Sequence, residues 1–171
     1  MDAFAATALT LAATERLNVV EATRQALEAL QVCLDGCPDY FARAARDSAG
    51  GEDAAHLLEE AESDPLRRVY LFSLKRGSAP AALLDLWLDQ PEPGTAHLGL
   101  LLVREALQGQ GLGREAMAAL EAALARSGCE TLRLSVTDEN REVEGFWARL
   151  GYAAVGRLDS GVTVYEKPLR A

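Results

Sequence analysis

The sequence holds too few cysteines for a cross-linked fold: Cys33, Cys37 and Cys129 are odd in number, and the C-x3-C pair has no second Cys/His pair to complete a zinc site. Reduced thiols are the expectation. No apolar run approaches the roughly 18 residues of a membrane span, and the opening MDAFAATALTLAATERL has neither the basic head nor the continuous apolar centre of a secretory leader. A cytoplasmic protein with no membrane partner is expected. Positive charge is also short, since 17 basic residues against 26 acidic ones leave a formal charge of -9, which repels a phosphate backbone and argues against nucleic acid as a partner. The same acidity suits a cationic acceptor such as an amine, although charge of this kind also serves solubility alone. Repeats, low-complexity tracts and long Pro/Gly/Ser linkers are missing, so the 171 residues, 49% of them hydrophobic, read as one domain spanning 1–171 with loops at Asp47–Gly51, Asp89–Thr95 and Asp159–Gly161.

Hydrophobic spacing predicts the elements. Asn18 as a cap with Glu21 three residues on, followed by Val19, Thr23, Ala26, Leu27, Leu30 and Leu34, predicts a helix from Asn18 to near Gly36, and a short second helix spans about Glu52 to Glu62. RRVYLFSL (Arg67–Leu74) and AALLDLWL (Ala81–Leu88) read as paired strands joined by a turn holding Gly77 and Pro80. AHLGLLLV (Ala96–Val103) is nearly continuous apolar sequence, the pattern of a central strand covered on both faces. Leu112, Ala116, Leu120 and Leu124 recur every fourth residue up to a stop at Gly128, giving a core-facing helix. A strand at Thr131–Val136, a helix from about Asn140 to Leu150, and a hairpin of Tyr152–Arg157 with Val162–Lys167 complete an α/β (α+β) order with a mostly antiparallel sheet.

The chemically informative segment is Gln108–Arg114, QGQGLGR, between the apolar strand and the amphipathic helix. Glycines at 109, 111 and 113 let backbone N–H groups converge at the positive end of a helix dipole, a geometry that binds phosphate. Such a strand–turn–helix can also be a tight connection with no ligand, and the density of glycine favours the ligand. Gly111-x-Gly113-x-x-Ala116 also matches the loose dinucleotide fingerprint, with Asp138 ending the next strand, but the remaining chain is too short and too hairpin-like for further βα units. No Gly-Lys-Ser/Thr follows, so the Walker pattern fails. A pyrophosphate-containing ligand on a mixed sheet remains.

Two ordered motifs resemble the GNAT superfamily of N-acyltransferases. Gln108-x-x-Gly111-x-Gly113 is similar to its acetyl-CoA motif, and Asn140-x5-Phe146-Trp147-x3-Gly151-Tyr152 resembles its later motif. The resemblance covers about residues 95 to 155, and the earlier chain follows only the family's general order of strand, two helices and a strand pair. It implies a three-layer fold, with a sheet of about six to seven strands flanked by about four helices. The implied reaction moves an acetyl group from acetyl-CoA to a primary amine, of a small molecule or a peptide, by direct attack in a ternary complex. No metal is implied, and there is room for a homodimer. In that reading the backbone N–H groups of Gln108, Gly109, Gln110, Gly111, Leu112, Gly113 and Arg114 hold the CoA pyrophosphate, the main chain of Leu101 and Val103 pairs with the pantetheine arm, Asn140 hydrogen-bonds it and Phe146 packs against it. Taken singly, Asn140 also serves as a helix start, Phe146 as core and Arg114 as a solvated charge.

The resemblance puts His97 where some family members carry a Glu or His base. Its alternative is a strand-end histidine hydrogen-bonded to the backbone. His56, on a polar helix, is expected to be exposed. Trp147 stands where the family has a tyrosine general acid, and an indole N–H is no useful proton donor, which keeps a CoA-binding sensor or structural protein as the competing reading. Acceptor recognition is expected from the first two helices and the Asp89–Thr95 loop, with Asp39, Tyr40, Asp89 and Glu92 as polar candidates.

Overall fold

β-Strand pairing organises the computed structural model, which describes residues 8–44 and 53–169. The strands in chain order are β1 (Leu17–Glu21), β2 (Arg67–Leu74), β3 (Pro80–Trp87), β4 (Thr95–Val103), β5 (Thr131–Thr137), β6 (Ala153–Leu158) and β7 (Val162–Pro168). In space they run β1-β2-β3-β4-β5-β7-β6, antiparallel throughout except for the β4–β5 pair. The apolar strand β4 is therefore central, as its unbroken hydrophobicity predicts. The helices are α1 (Leu27–Asp35), α2 (Pro38–Ala44), α3 (Ala54–Ser63), α4 (Leu112–Ser127) and α5 (Glu144–Arg149). Among the described residues, no helix is long and apolar enough to cross a membrane.

Two apolar layers sandwich the sheet. On one face the predicted stripe of α4, Leu112, Ala116, Leu120 and Leu124, packs with Ala96, Leu98, Leu132 and Leu134. On the other, Leu30, Cys33 and Leu34 of α1 and Leu58 of α3 cover Val69, Leu71, Leu83 and Leu102. Gly128 closes α4 at φ 93, the left-handed cap expected of it.

The helix predicted from Asn18 is corrected: Leu17–Glu21 is an edge strand, and after a 3-10 turn at Arg24–Ala26 the helix starts only at Leu27. Val19 packs with the α4 layer, whereas Leu30 and Leu34 belong to the opposite layer, so they cannot share one helical stripe. Glu21 pairs with Arg68 at 3.5 Å across β2 instead of capping. The short helix α2, opened by Pro38 in its first turn, is an addition to the two predicted. The second predicted helix holds as α3, capped by Asp53, whose carboxylate accepts from the Ala55 N–H at 2.8 Å. Its expected start at Glu52 and the Asp47–Gly51 loop lie outside the described residues. Pro80 opens β3 rather than lying in the turn, and the segment from Asn140 divides into a 3-10 stretch (Asp138–Val143) followed by α5.

Between Asp85 and Leu86 of β3, the facing strand β4 carries one extra residue, Gly99. This bulge inverts the alternation along β4: Ala96 and Leu98 face the α4 layer before it, and Leu101 and Val103 do so after it.

Candidate active site

The β4–β5 ladder runs only from Thr95↔Thr131 to Leu98↔Leu134, and beyond the bulge the strands part. A parallel pair that separates exposes strand backbone to whatever enters the gap. Here it opens a cleft of ≈ 660 Å³. Leu101 and Val103 of β4 line one side, Asn140 and Phe146 the other, and Gln108, Gly109, Gly111, Leu112, Gly113 and Arg114 form the end at the start of α4. Residues of the two separate motifs are thus gathered with the central strand around one cavity. Gln110 is not in this wall: its carbonyl accepts from Arg16 Nη1 at 2.8 Å. The Val103 carbonyl is also engaged, accepting from Gln108 Nε2 at 2.9 Å and from the Cys37 thiol at 3.3 Å.

Gly111 caps α4 at φ 83, with no side-chain hydrogen bond to the first turn. The first N–H groups of a helix have no partner inside it, so this end presents open donors and a positive dipole to the cleft. The Asn140 side chain contributes an acceptor: its Oδ1 is buried without a hydrogen-bond partner among the described residues. A buried orphan of this kind is costly unless something donates to it.

The model of the acetyltransferase (GNAT) family matches residues 35–152. The chain belongs to the GNAT family. An acetyltransferase from Thermus thermophilus is similar at 32% identity, with 92% of this chain and 99% of that one covered and a TM-score of 0.80. Two further GNAT folds are similar in shape alone. The PaiA N-acetyltransferase of Thermoplasma acidophilum, solved in complex with coenzyme A, has 15% identity, 89% and 98% coverage and a TM-score of 0.67. The ribosomal-protein-S18-alanine N-acetyltransferase of Escherichia coli has 17% identity, 91% and 95% coverage and a TM-score of 0.66.

In this GNAT chain His97 lies outside the main cleft, in an adjoining cavity that shares Gly99 and Ser135 with it. The ring is half-buried and makes no hydrogen bond among the described residues, unlike a strand-end histidine tied to the backbone. Burial, and then the Arg133 guanidinium, hold its pKa below the usual histidine range. His97 is therefore neutral at pH 7. His56, as expected, is exposed, and it pairs with Glu60 at 3.2 Å one turn on.

Trp147 is buried in the cleft wall, edge-on to Phe146 (4.8 Å between centroids) and Tyr152 (5.4 Å). Tyr152 does not replace the missing phenol, because its hydroxyl donates to Glu121 Oε1 at 2.8 Å, and burial, reinforced by that carboxylate, pushes its pKa up. Across the cleft, α2 and the residue before it supply Cys37, Asp39, Tyr40 and Arg43, and Arg43 bridges to Glu142 at 2.9 Å. Burial pushes the Cys37 thiol up to about 11, which leaves almost no thiolate at neutral pH. Asp39 and Tyr40 thus stand at the site as expected, while Asp89 and Glu92 do not line either cavity; Gln90 and Pro91 of the same loop line the smaller one.

Sequence reasoning missed Arg16. It follows no motif, yet its N–H and Nε bind the two Glu115 carboxylate oxygens at 2.7 and 2.8 Å while Nη1 holds the Gln110 carbonyl, and Thr14 also donates to Glu115. The segment before β1 thereby clamps the glycine loop to the first turn of α4. Trp87, which lines the smaller cavity beside His97, was missed as well.

Proposed function

We propose that the chain transfers an acetyl group from acetyl-CoA to a primary amine by direct attack in a ternary complex. The observation that carries this reading is the parting of β4 from β5 onto an uncapped glycine-rich helix start: extended backbone for an amide-bearing arm, and free N–H groups for a pyrophosphate. The fit to CoA is supported by the orphan Oδ1 of Asn140, which matches an amide N–H of the arm, and by Phe146, which lines the same cleft as Leu101. The CoA thioester supplies an activated acyl group. The chain's task is to free the amine's lone pair, which for an alkylamine of pKa about 10.4 costs about 4.6 kcal/mol at pH 7.

In this reading His97 takes the amine proton, directly or through one water. Nitrogen bonds to the acyl carbon, the carbon–sulfur bond breaks with its electron pair leaving on sulfur, and the nitrogen sheds its second proton to water. The thiolate then takes a proton from water, a step favourable by about 2 kcal/mol at pH 7 for a thiol of pKa about 8.5. That removes the need for a phenol at Trp147. The raised Cys37 thiol supports direct attack over an acyl-cysteine.

Three results are expected. CoA at about 100 times its dissociation constant should stabilise the fold by about 2.7 kcal/mol in a thermal-shift assay, and NAD should not; the reverse would favour a dinucleotide site. Arg16→Ala should weaken CoA binding about tenfold by calorimetry, and Arg16→Lys should recover little of it, since an ammonium cannot hold a carboxylate and a carbonyl in one planar fork. Thiol release from acetyl-CoA should exceed background hydrolysis with at least one member of a broad amine panel. The buried Trp147 favours one second reading, a CoA-binding sensor. Tight CoA binding with no amine-dependent thiol release would establish that reading, and Trp147→Tyr should raise turnover only if thiolate protonation limits the rate.

A further inference from the structure

We propose that the smaller cavity beside His97 receives the acceptor and selects a monoamine with an apolar body over a polyamine. This rests on the acetyl-transfer reading and adds to it the chemical class of the acceptor.

The cavity, of ≈ 450 Å³, meets the main cleft at Gly99 and Ser135, where β4 and β5 separate. It lies on the sheet face away from α4, because Arg133 and Ser135 alternate with Leu132, Leu134 and Val136, which pack toward α4. An acceptor entering there reaches the gap from the side opposite the glycine loop.

The wall is largely apolar, with Trp87, Pro91 and Val164. Its polar members are uncharged apart from Arg133, and no carboxylate lines it among the described residues. Arg133 is turned toward Glu166 on β7, to which Nε donates at 2.7 Å and Nη2 also donates. Trp87 is held firmly: the Arg67 guanidinium lies 4.3 Å over its ring and is itself fixed by Asp85 at 2.9 and 2.8 Å. The ring presses against the bulge so closely that a Cβ at Gly99 would lie 2.2 Å from Trp87 Cζ3. Only glycine allows this approach.

Two costs fall on a second ammonium group in such a pocket: it loses water without gaining a counter-charge, and Arg133 repels it. A monoamine loses its single charge to the reaction itself, and its apolar body gains by burial against Trp87 and Val164. The preference does not follow from overall charge, since a net -9 would attract a polyamine.

The test compares kcat/KM for hexylamine and phenethylamine with that for spermidine at saturating acetyl-CoA. The monoamines should lead by about tenfold or more, and Trp87→Ala should reduce that lead about tenfold, mainly through KM. Ser135→Asp places a carboxylate at an exposed position of the wall and should raise spermidine kcat/KM about tenfold. Equal or better use of spermidine by the wild type, or a ratio unmoved by both variants, would overturn the proposal. Transfer to no amine at all would overturn the acetyl-transfer reading instead. Binding then decides the pocket: Trp147→Phe leaves Trp87 as the remaining one of two tryptophans, and its emission should respond to phenethylamine at lower concentration than to spermidine. The opposite order, or no response, would count against the pocket.

Discussion

His97→Gln is expected to lower kcat by about 10²–10⁴-fold, the usual contribution of a general base, while leaving CoA binding unchanged. The imidazole is half-buried, lacks a hydrogen bond among the described residues and sits one cavity wall from the β4–β5 gap. Its pKa is lowered, first by burial and then by Arg133, and the active form of a base is the neutral one. Turnover should therefore rise with pH along a limb whose midpoint lies below the ordinary value of about 6.5, and be level above it. Arg133→Gln should move that limb upward by part of the shift only, since burial, the larger cause, stays in place. Stability follows the same sign: an unfolded imidazole takes a proton near its ordinary pKa and the folded one resists, so stability should fall as pH drops below about 6.5. A purely structural histidine predicts a different outcome for His97→Gln, a lower melting temperature with near-normal kcat and an unchanged acidic limb.

Gly111→Val is expected to weaken CoA binding by about 100-fold or more, about 2.7 kcal/mol, with most helical signal retained. At φ 83 a β-branched side chain is strained, and a Cβ there would stand 3.3 Å from Arg16 Nη2, in the clamp that shapes the loop. Relief of that strain displaces the first turn of α4, the open donors of the cleft. Gly77→Val is the control. Gly77 has the same φ of 83 with nothing within 4 Å of a Cβ, in the turn between β2 and β3 and away from the cleft. It should cost stability through the same backbone strain and leave CoA affinity intact, as calorimetry of both variants would show.

Those features that sequence reading recovered are local ones. β4 is one nearly continuous apolar run, α4 carries one uninterrupted period, and the glycine loop is seven contiguous residues, so neighbours along the chain determine them. Asn18 misled because a period-two edge strand is followed, after a short 3-10 turn, by a period-3.6 helix, and the combined spacing imitates one longer helix whose residues in fact lie on opposite faces of the sheet. The bulge at Gly99 was hidden inside an apolar run, because it depends on Trp87 across the sheet rather than on its own neighbours. Arg16 left no signal at all: its partners, Gln110 and Glu115, are almost a hundred residues away, and one arginine before a strand has no local pattern. Motif spacing singled out Asn140, while its non-helical backbone, φ -116 and ψ 24 within the 3-10 stretch, was hidden by the helical pattern that follows.

Acetyl-CoA labelled in the acetyl group, incubated with the protein and a primary amine and followed by mass spectrometry, tests the proposed transfer most directly. The label should move to the amine nitrogen in step with free CoA, and intact-protein spectra should show none on the chain, Cys37 included. Label that stays on acetyl-CoA across a broad amine panel at saturating cofactor, or that accumulates on Cys37, would contradict direct transfer to an amine.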